Sequence, residues 1–126
     1  MTTPATGKRI LLIDDDEDLR ELFQMAMGKR FNVAVAEDGI KGLAKAAVFR
    51  PHLIVLDLMM PLLDGFGVIH KLQEQGQSAV PVVVITGYSD QASESLVSNE
   101  PNVVAFLRKP LKFDELSAKI DGLLAD

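Results

Sequence analysis

Four places in this chain carry side chains able to act on a charged substrate: the run Asp14-Asp15-Asp16, the single Asp57, the hydroxyl of Thr86 and the ammonium of Lys109. Carboxylates a few ångströms apart repel, and a hard divalent cation that keeps several waters relieves that repulsion. Mg²⁺ suits such a set better than a dedicated Ca²⁺ cage. Beside such a cation, Asp57 can act as a carboxylate nucleophile towards phosphorus and form an aspartyl phosphate. The transferred group spreads its charge over three oxygens, which the cation, Lys109 and Thr86 can each meet. No His, Ser or Cys nucleophile stands with a base. His52 and His70 lack metal-ligand spacing and read as structural or surface residues. Gly65-Phe66-Gly67 mimics half of a dinucleotide fingerprint, but it lacks the third glycine and is set aside.

That chemistry needs residues up to 95 positions apart to meet, so the elements that carry them decide the matter. Five nearly continuous apolar runs, at 10–13, 33–36, 53–56, 82–85 and 103–107, read as strands buried on both faces. Helical spacing lies between them: Leu19, Leu22, Phe23 and Ala26; Ile40, Leu43, Ala44 and Ala47; Phe66, Ile69 and Leu72. Phe113, Leu116, Ile120, Leu123 and Leu124 form a C-terminal stripe. A segment over 90–98 offers only Ala92, Leu96 and Val97, and is expected to be the least firmly packed helix. Alternating strands and helices imply right-handed crossovers and a parallel sheet covered on both sides. In such a sheet, function collects beyond the carboxyl ends of the strands. The first strand runs into Asp14, the third into Asp57, the fourth into Thr86, and the fifth gives out at Lys109-Pro110.

Singly, each residue has an ordinary explanation. Asp16 can cap a helix, with Glu17 and Asp18 favouring its positive end; Asp57 suits a turn, Thr86 a helix entry, and Lys109 a solvated position. Capping does not account for Asp14 and Asp15, and the joint placement at four strand ends outweighs the separate readings.

Composition narrows the function further. Of 126 residues, 48% are hydrophobic and 25% charged, which is enough for a packed core. The formal charge is -5, and the acids at 14–18 supply all of that excess. A negative domain without a basic stripe argues against direct nucleic-acid or anionic-membrane binding. With no cysteine, a disulfide scaffold and a thiolate zinc site are excluded. The apolar runs fall far short of the ~20 residues of a membrane span, and the N-terminus lacks the apolar stretch of a signal peptide. Residues 1–7 read as a short disordered tail, 8–126 as one domain with no room for a second, and the expected location is cytoplasmic.

At this point the chain resembles the receiver domain of two-component response regulators, either of the stand-alone CheY-like kind or excised from a larger regulator or hybrid kinase. The resemblance is carried by ILLIDDD at 10–16, LIVLDLMMPLLDG at 53–65, VVVITG at 82–87 and FLRKP at 106–110. It implies a flavodoxin-like α/β fold, a doubly wound five-stranded parallel sheet in order 2-1-3-4-5 with five helices on its two faces. It implies Asp57 as phosphoryl acceptor, and Mg²⁺ bound directly by Asp15, Asp57 and the backbone carbonyl of Met59, with Asp14 acting largely through water. Lys109 is then the partner of the acceptor carboxylate or its phosphoryl oxygen, and its bond to Pro110 is expected to be cis. Thr86 moves its hydroxyl onto the phosphoryl group, and Phe106 is the aromatic switch that fills the vacated space.

Some features depart from the family pattern. Phe106 has no hydroxyl where tyrosine is frequent, and 98–102 replaces the usual glycine-alanine turn. Gly87 is small, as access by a phosphohistidine donor requires. Met59 and Tyr88, two residues beyond Asp57 and Thr86, are expected to flank the phosphoryl group, obstruct attacking water and slow its loss.

The implied partners are a histidine kinase or histidine phosphotransfer protein, docking near Glu21 and Met25, and a downstream protein target. The chain is expected to be a monomer or a phosphorylation-dependent dimer, and no enzyme beyond catalysing its own aspartyl phosphorylation and dephosphorylation. A haloacid-dehalogenase-like phosphatase needs an acid two residues after the nucleophile, where Met59 stands. A flavodoxin-like FMN carrier needs a phosphate loop where the acid cluster stands. A receiver that binds partners without phosphorylation is the remaining rival, although the chain keeps every residue such a scaffold has no use for.

Overall fold

The computed structural model describes residues 7–60, 62–87, 95 and 98–125. Its elements run β1 (Arg9–Ile13), α1 (Glu17–Met27), β2 (Asn32–Ala36), α2 (Gly39–Phe49), β3 (Leu53–Asp57), α3 (Gly65–Glu74), β4 (Val82–Thr86), β5 (Val103–Arg108) and α4 (Phe113–Leu123). Four helices therefore stand among the described residues where the sequence predicts five. The expected helix over 90–98 falls on positions outside that set, apart from Ser95 and Ser98.

All strand pairs are parallel and the order is β2-β1-β3-β4-β5. The apolar runs are continuous because successive side chains feed two separate cores. Leu11, Ile13, Ile54, Leu56, Val82 and Val84 pack with Ala46, Val68, Ile69 and Leu72 of α2 and α3. Ile10, Leu12, Leu53, Val55, Val83 and Ile85 pack with Phe23, Met27, Leu116 and Ile120 of α1 and α4. Phe23 and Phe113 meet edge-on across the second of these cores. Burying a Leu, Ile or Val side chain contributes roughly 1.5–3 kcal/mol, so the central strands β1, β3 and β4 form the rigid frame that carries the site.

The helix ends follow the local chemistry. Asp16 accepts amide hydrogen bonds from Asp18 and Leu19, Asp38 from Lys41, and Asp64 from Gly67. Arg50 closes α2 in the left-handed region at φ 52, just before Pro51.

Two helix faces differ from those the sequence predicts. In α1 the buried residues are Phe23 and Met27, while Leu22 and Ala26 turn outward. In α2 they are Gly39, Gly42 and Ala46; Ile40, Ala44 and Ala47 are exposed. The cause in α2 is close approach. A Cβ on Gly42 would lie 2.5 Å from Ile13 Cδ1, so bare backbone rather than a side chain meets β1.

Among the described residues, no helix is long and apolar enough to cross a membrane.

Candidate functional site

Parallel strands in register deliver their last residues to one edge. Asp57 is the last residue of β3 and pairs with Ile85, the residue before Thr86 at the end of β4; Thr86 in turn pairs with Arg108, next to Lys109. The Lys109 amide donates to the Thr86 carbonyl at 2.8 Å, and Asp14 N–H donates to the carbonyl of Ala36 at 3.1 Å. The edge is thus stitched by backbone hydrogen bonds before any side chain is considered.

Three carboxylates gather there. Asp14, Asp15 and Asp57 each offer an oxygen, and these oxygens lie within 4.8 Å of one another. Asp14 is fully buried, Asp57 is 3% exposed and Asp15 is exposed. Lys109 Nζ stands 2.8 Å from Asp14 Oδ2 and 3.5 Å from Asp57 Oδ2. Asp14 Oδ1 accepts from the Asp16 amide at 2.9 Å, and Arg20 Nη1 donates to the Asp14 carbonyl at 2.9 Å. Asp57 Oδ1 accepts from the Met59 amide at 3.2 Å.

The electrostatics follow from this crowding. Burial and the Asp14 carboxylate push the Asp57 carboxyl up to about 6, with Asp15 adding to the rise, although Lys109 and the Met59 amide pull the other way. Burial alone would lower Lys109, but Asp14 and Asp57 outweigh it and its ammonium is held above the ordinary range. Lys109 contacts two of the three carboxylates, so the cluster keeps surplus negative charge. An all-oxygen donor set with surplus negative charge fits a hard divalent cation, and the cluster has the makings of a metal site.

The remaining predicted residues fall as follows. Thr86 is buried at the end of β4. Met59 projects outward and is 56% exposed. Phe106 is partly buried against the core beneath α2 and α3, in register with Val84. Tyr88 lies outside the described residues. Among the described residues, a Cβ on Gly87 would meet nothing within 4 Å. The Lys109–Pro110 bond is cis. Glu21 and Met25 are exposed on α1.

The two histidines are structural. His52 Nδ1 accepts the Arg9 amide at 2.9 Å, and His70 Nε2 lies 2.8 Å from Glu100 Oε1. Gln73 adds bonds to Glu100 and Asn102, so the unusual 98–102 stretch is anchored on α3.

Sequence reasoning missed Arg20, whose bond to a carbonyl leaves no residue-type signal. It also paired Lys109 with Asp57 alone, whereas its shorter contact is to Asp14.

Comparison with known proteins agrees with the fold and with the family resemblance. The family model for the response regulator receiver domain matches residues 10–121. Response regulator MprA of Mycobacterium leprae is 37% identical over 117 residues, covering 92% of this chain and 50% of that protein. The chain therefore spans about half the length of the curated relatives it matches. Vibrio cholerae chemotaxis protein CheY4 superposes with a TM-score of 0.86 at 23% identity, over 94% of this chain and 100% of that one. A CheY-like receiver domain protein from Methanospirillum hungatei gives 0.86 at 24% identity, over 94% of each chain. These two likenesses speak to the fold alone.

Proposed function

Given that the chain belongs to the family of response regulator receiver domains, we propose that Asp57 is its phosphoryl acceptor and that Asp14, Asp15, Asp57 and the Met59 carbonyl hold Mg²⁺. The chain is a phosphorylation-switched two-component signalling module, not an enzyme that turns over a separate substrate. One observation carries the assignment: of the two buried carboxylates in the cluster, Asp14 is fully buried with its oxygens taken by the Asp16 amide and Lys109, whereas Asp57, at the end of β3, keeps some exposure and only a 3.5 Å contact to Lys109.

The chemistry is in-line phosphoryl transfer. An Asp57 carboxylate oxygen forms a bond to phosphorus while the bond from phosphorus to the donor's histidine nitrogen breaks, and the imidazole leaves with the electron pair. Asp14, Asp15, Asp57 and the Met59 carbonyl would hold Mg²⁺, which when bound would supply positive charge to offset the negative charge on the oxygens of the transferred group. Lys109 neutralises a second oxygen, and the Thr86 hydroxyl donates to a third. Met59 screens the product from water; Tyr88, the other residue expected from the sequence to do so, lies outside the described residues. The domain thereby catalyses only its own phosphorylation and dephosphorylation.

The output is a change of state. The product replaces one carboxylate charge with about -1.5 to -2 and three strong acceptors. Moving a two-state element from 1:99 to 99:1 takes roughly 5.5 kcal/mol of differential interaction. Charge-assisted bonds from Thr86 and Lys109, at ~1.5–3 kcal/mol each, supply part of it. Thr86 and Phe106 are the switch pair that moves, and a downstream protein completes the shift.

The donor is a histidine kinase or phosphotransfer protein. A groove of about 420 Å³ between α1 and the β5–α4 turn, lined by Leu19, Leu22, Pro110, Leu111 and Phe113 beside Lys109, offers it a seat. The reading places the domain in the cytoplasm, as a monomer or a phosphorylation-dependent dimer.

The deciding experiment is labelling by acetyl phosphate. Incorporation that requires Mg²⁺ and disappears in Asp57→Asn is the expected result. Labelling that survives Asp57→Asn overturns the acceptor assignment, and a wild-type chain that takes no label favours a receiver that binds partners without phosphorylation.

A further inference from the structure

The connection between β3 and α3 holds Met59 beside Asp57, and it adopts a costly backbone to do so. Leu62 sits at φ 70, in the left-handed region that a residue with a Cβ avoids. It gains no burial in return, being 81% exposed. The constraint comes from its neighbours. The Leu58 amide donates to the carbonyl of Ile85 on β4, and the Gly65 amide donates back to the Leu58 carbonyl, both at 3.0 Å. Asp64 is held as the cap of α3 by the Gly67 amide.

Leu63 is locked between two helices. A Cβ on Gly39 of α2 would come within 2.5 Å of the Leu63 carbonyl oxygen and 3.0 Å of its Cβ. A Cβ on Gly67 of α3 would overlap the Leu63 side chain at Cδ1. Two glycines on separate helices thus form a notch that Leu63 fills, and Leu62 takes up the turn that this seating requires. Strain retained at an exposed residue, in the connection that also carries Met59, is a reason to look for a functional constraint there.

We propose that Leu63 is a positioning residue for the cation site. Seated in the Gly39–Gly67 notch, it holds the connection so that the Met59 backbone stays against Asp57, although Leu63 itself touches no ligand. The proposal rests on the reading of Asp57 and Met59 as cation ligands.

The test is Mg²⁺ affinity, measured by calorimetric titration and by the Mg²⁺-dependent rise in urea midpoint, on the full chain. A ligand that binds only the folded state stabilises it in proportion to the logarithm of its affinity. Leu63→Ala is expected to bind Mg²⁺ about tenfold more weakly, as loss of an outer support typically does, and Leu63→Met is expected to restore binding. A purely packing role lowers the metal-free midpoint but leaves Mg²⁺ affinity at the wild-type value, and that result overturns the proposal. If Leu63→Ala does not fold, Leu63→Val shortens the same side chain and is read in the same way: weaker binding supports the proposal, and unchanged binding overturns it. A wild-type chain that binds no Mg²⁺ sinks the acidic-site reading itself, and the role of Leu63 with it.

Discussion

Lys109 lies closer to Asp14 than to Asp57, with Nζ 2.8 Å from the former and 3.5 Å from the latter. The buried Asp14 carboxylate is thus the ammonium's tighter partner before any phosphoryl group arrives. Lys109 faces two carboxylates of the cluster proposed to hold the cation, and on that reading the two positive charges compete for the same negative charge.

That competition predicts opposite effects for Lys109→Ala. Removing one partner of a buried ion pair costs roughly 3–5 kcal/mol, discounted here because Lys109 is a quarter exposed and Asp57 can take up a proton instead. Metal-free stability in urea is expected to fall by about 2 kcal/mol, while Mg²⁺ affinity rises and acetyl phosphate labelling is lost. Weaker Mg²⁺ binding in the variant would show that Lys109 orders the site rather than competing for it.

The pH dependence of the metal-free protein follows from two groups of opposite sign. Asp57 is raised from 3.8 to about 6 in the folded state. Between those values the folded chain therefore holds a proton that the unfolded chain lacks, and this group's contribution to stability grows as pH falls. At ~1.4 kcal/mol per unit the effect is on the order of 2–3 kcal/mol. Burial, with Arg9 and Lys8 adding to it, lowers His52 below its ordinary 6.5. Its contribution is present above 6.5 and is lost as pH falls below that value. Urea midpoints of wild type are expected to change little from pH 7 to 5, whereas Asp57→Asn, left with His52 alone, declines steadily. Parallel curves for the two proteins would contradict the raised Asp57.

Leu62 offers a test of stored strain free of packing effects. Relieving a left-handed side chain recovers about 1 kcal/mol, and the extra chain entropy of glycine takes back roughly 0.5–1. Leu62→Gly is therefore expected to be nearly neutral in urea unfolding. Leu62→Val, β-branched at a positive φ, is expected to fall below wild type by about 1 kcal/mol. A Val variant as stable as the Leu would mean that the connection relaxes without cost.

Glycine to alanine changes in α2 and α4 should diverge. Each gains up to ~1 kcal/mol of helix propensity. At Gly122 nothing lies within 4 Å of the new Cβ, and Gly122→Ala is expected to stabilise. At Gly42 the Cβ meets Ile13 Cδ1 at 2.5 Å and Cγ1 at 2.8 Å, and overpacking of that kind costs roughly 1–3 kcal/mol. Gly42→Ala is expected to destabilise, and shortening Ile13 to valine should recover part of the loss. Thermal unfolding of the three variants checks both directions.

The sheet was legible because burial on both faces leaves an unmistakable trace: runs such as 10–13 and 82–85 contain nothing polar. The ends of those runs then pointed to Asp57 and Thr86, since the first polar residue after a buried strand must stand at its edge. The inward face of α2 was not legible, because glycine carries no hydrophobic signal although Gly39 and Gly42 are what the β3–α3 connection and β1 touch. The preference of Lys109 for Asp14 depends on side-chain direction at a strand end, which residue order does not encode. The left-handed turn was hidden too: leucine gives none of the cues by which glycine or asparagine announces such a backbone.

Arg20 ties this acid-rich edge to the outside of the molecule. It springs from α1, the helix that also exposes Leu22 and Met25, and its guanidinium ends on the carbonyl of Asp14. A protein docking on that helix, as proposed above, would bear on a side chain whose far end is bonded to the peptide unit of the buried carboxylate. The side proposed above for the donor is thus joined through one side chain to the edge proposed to receive the group.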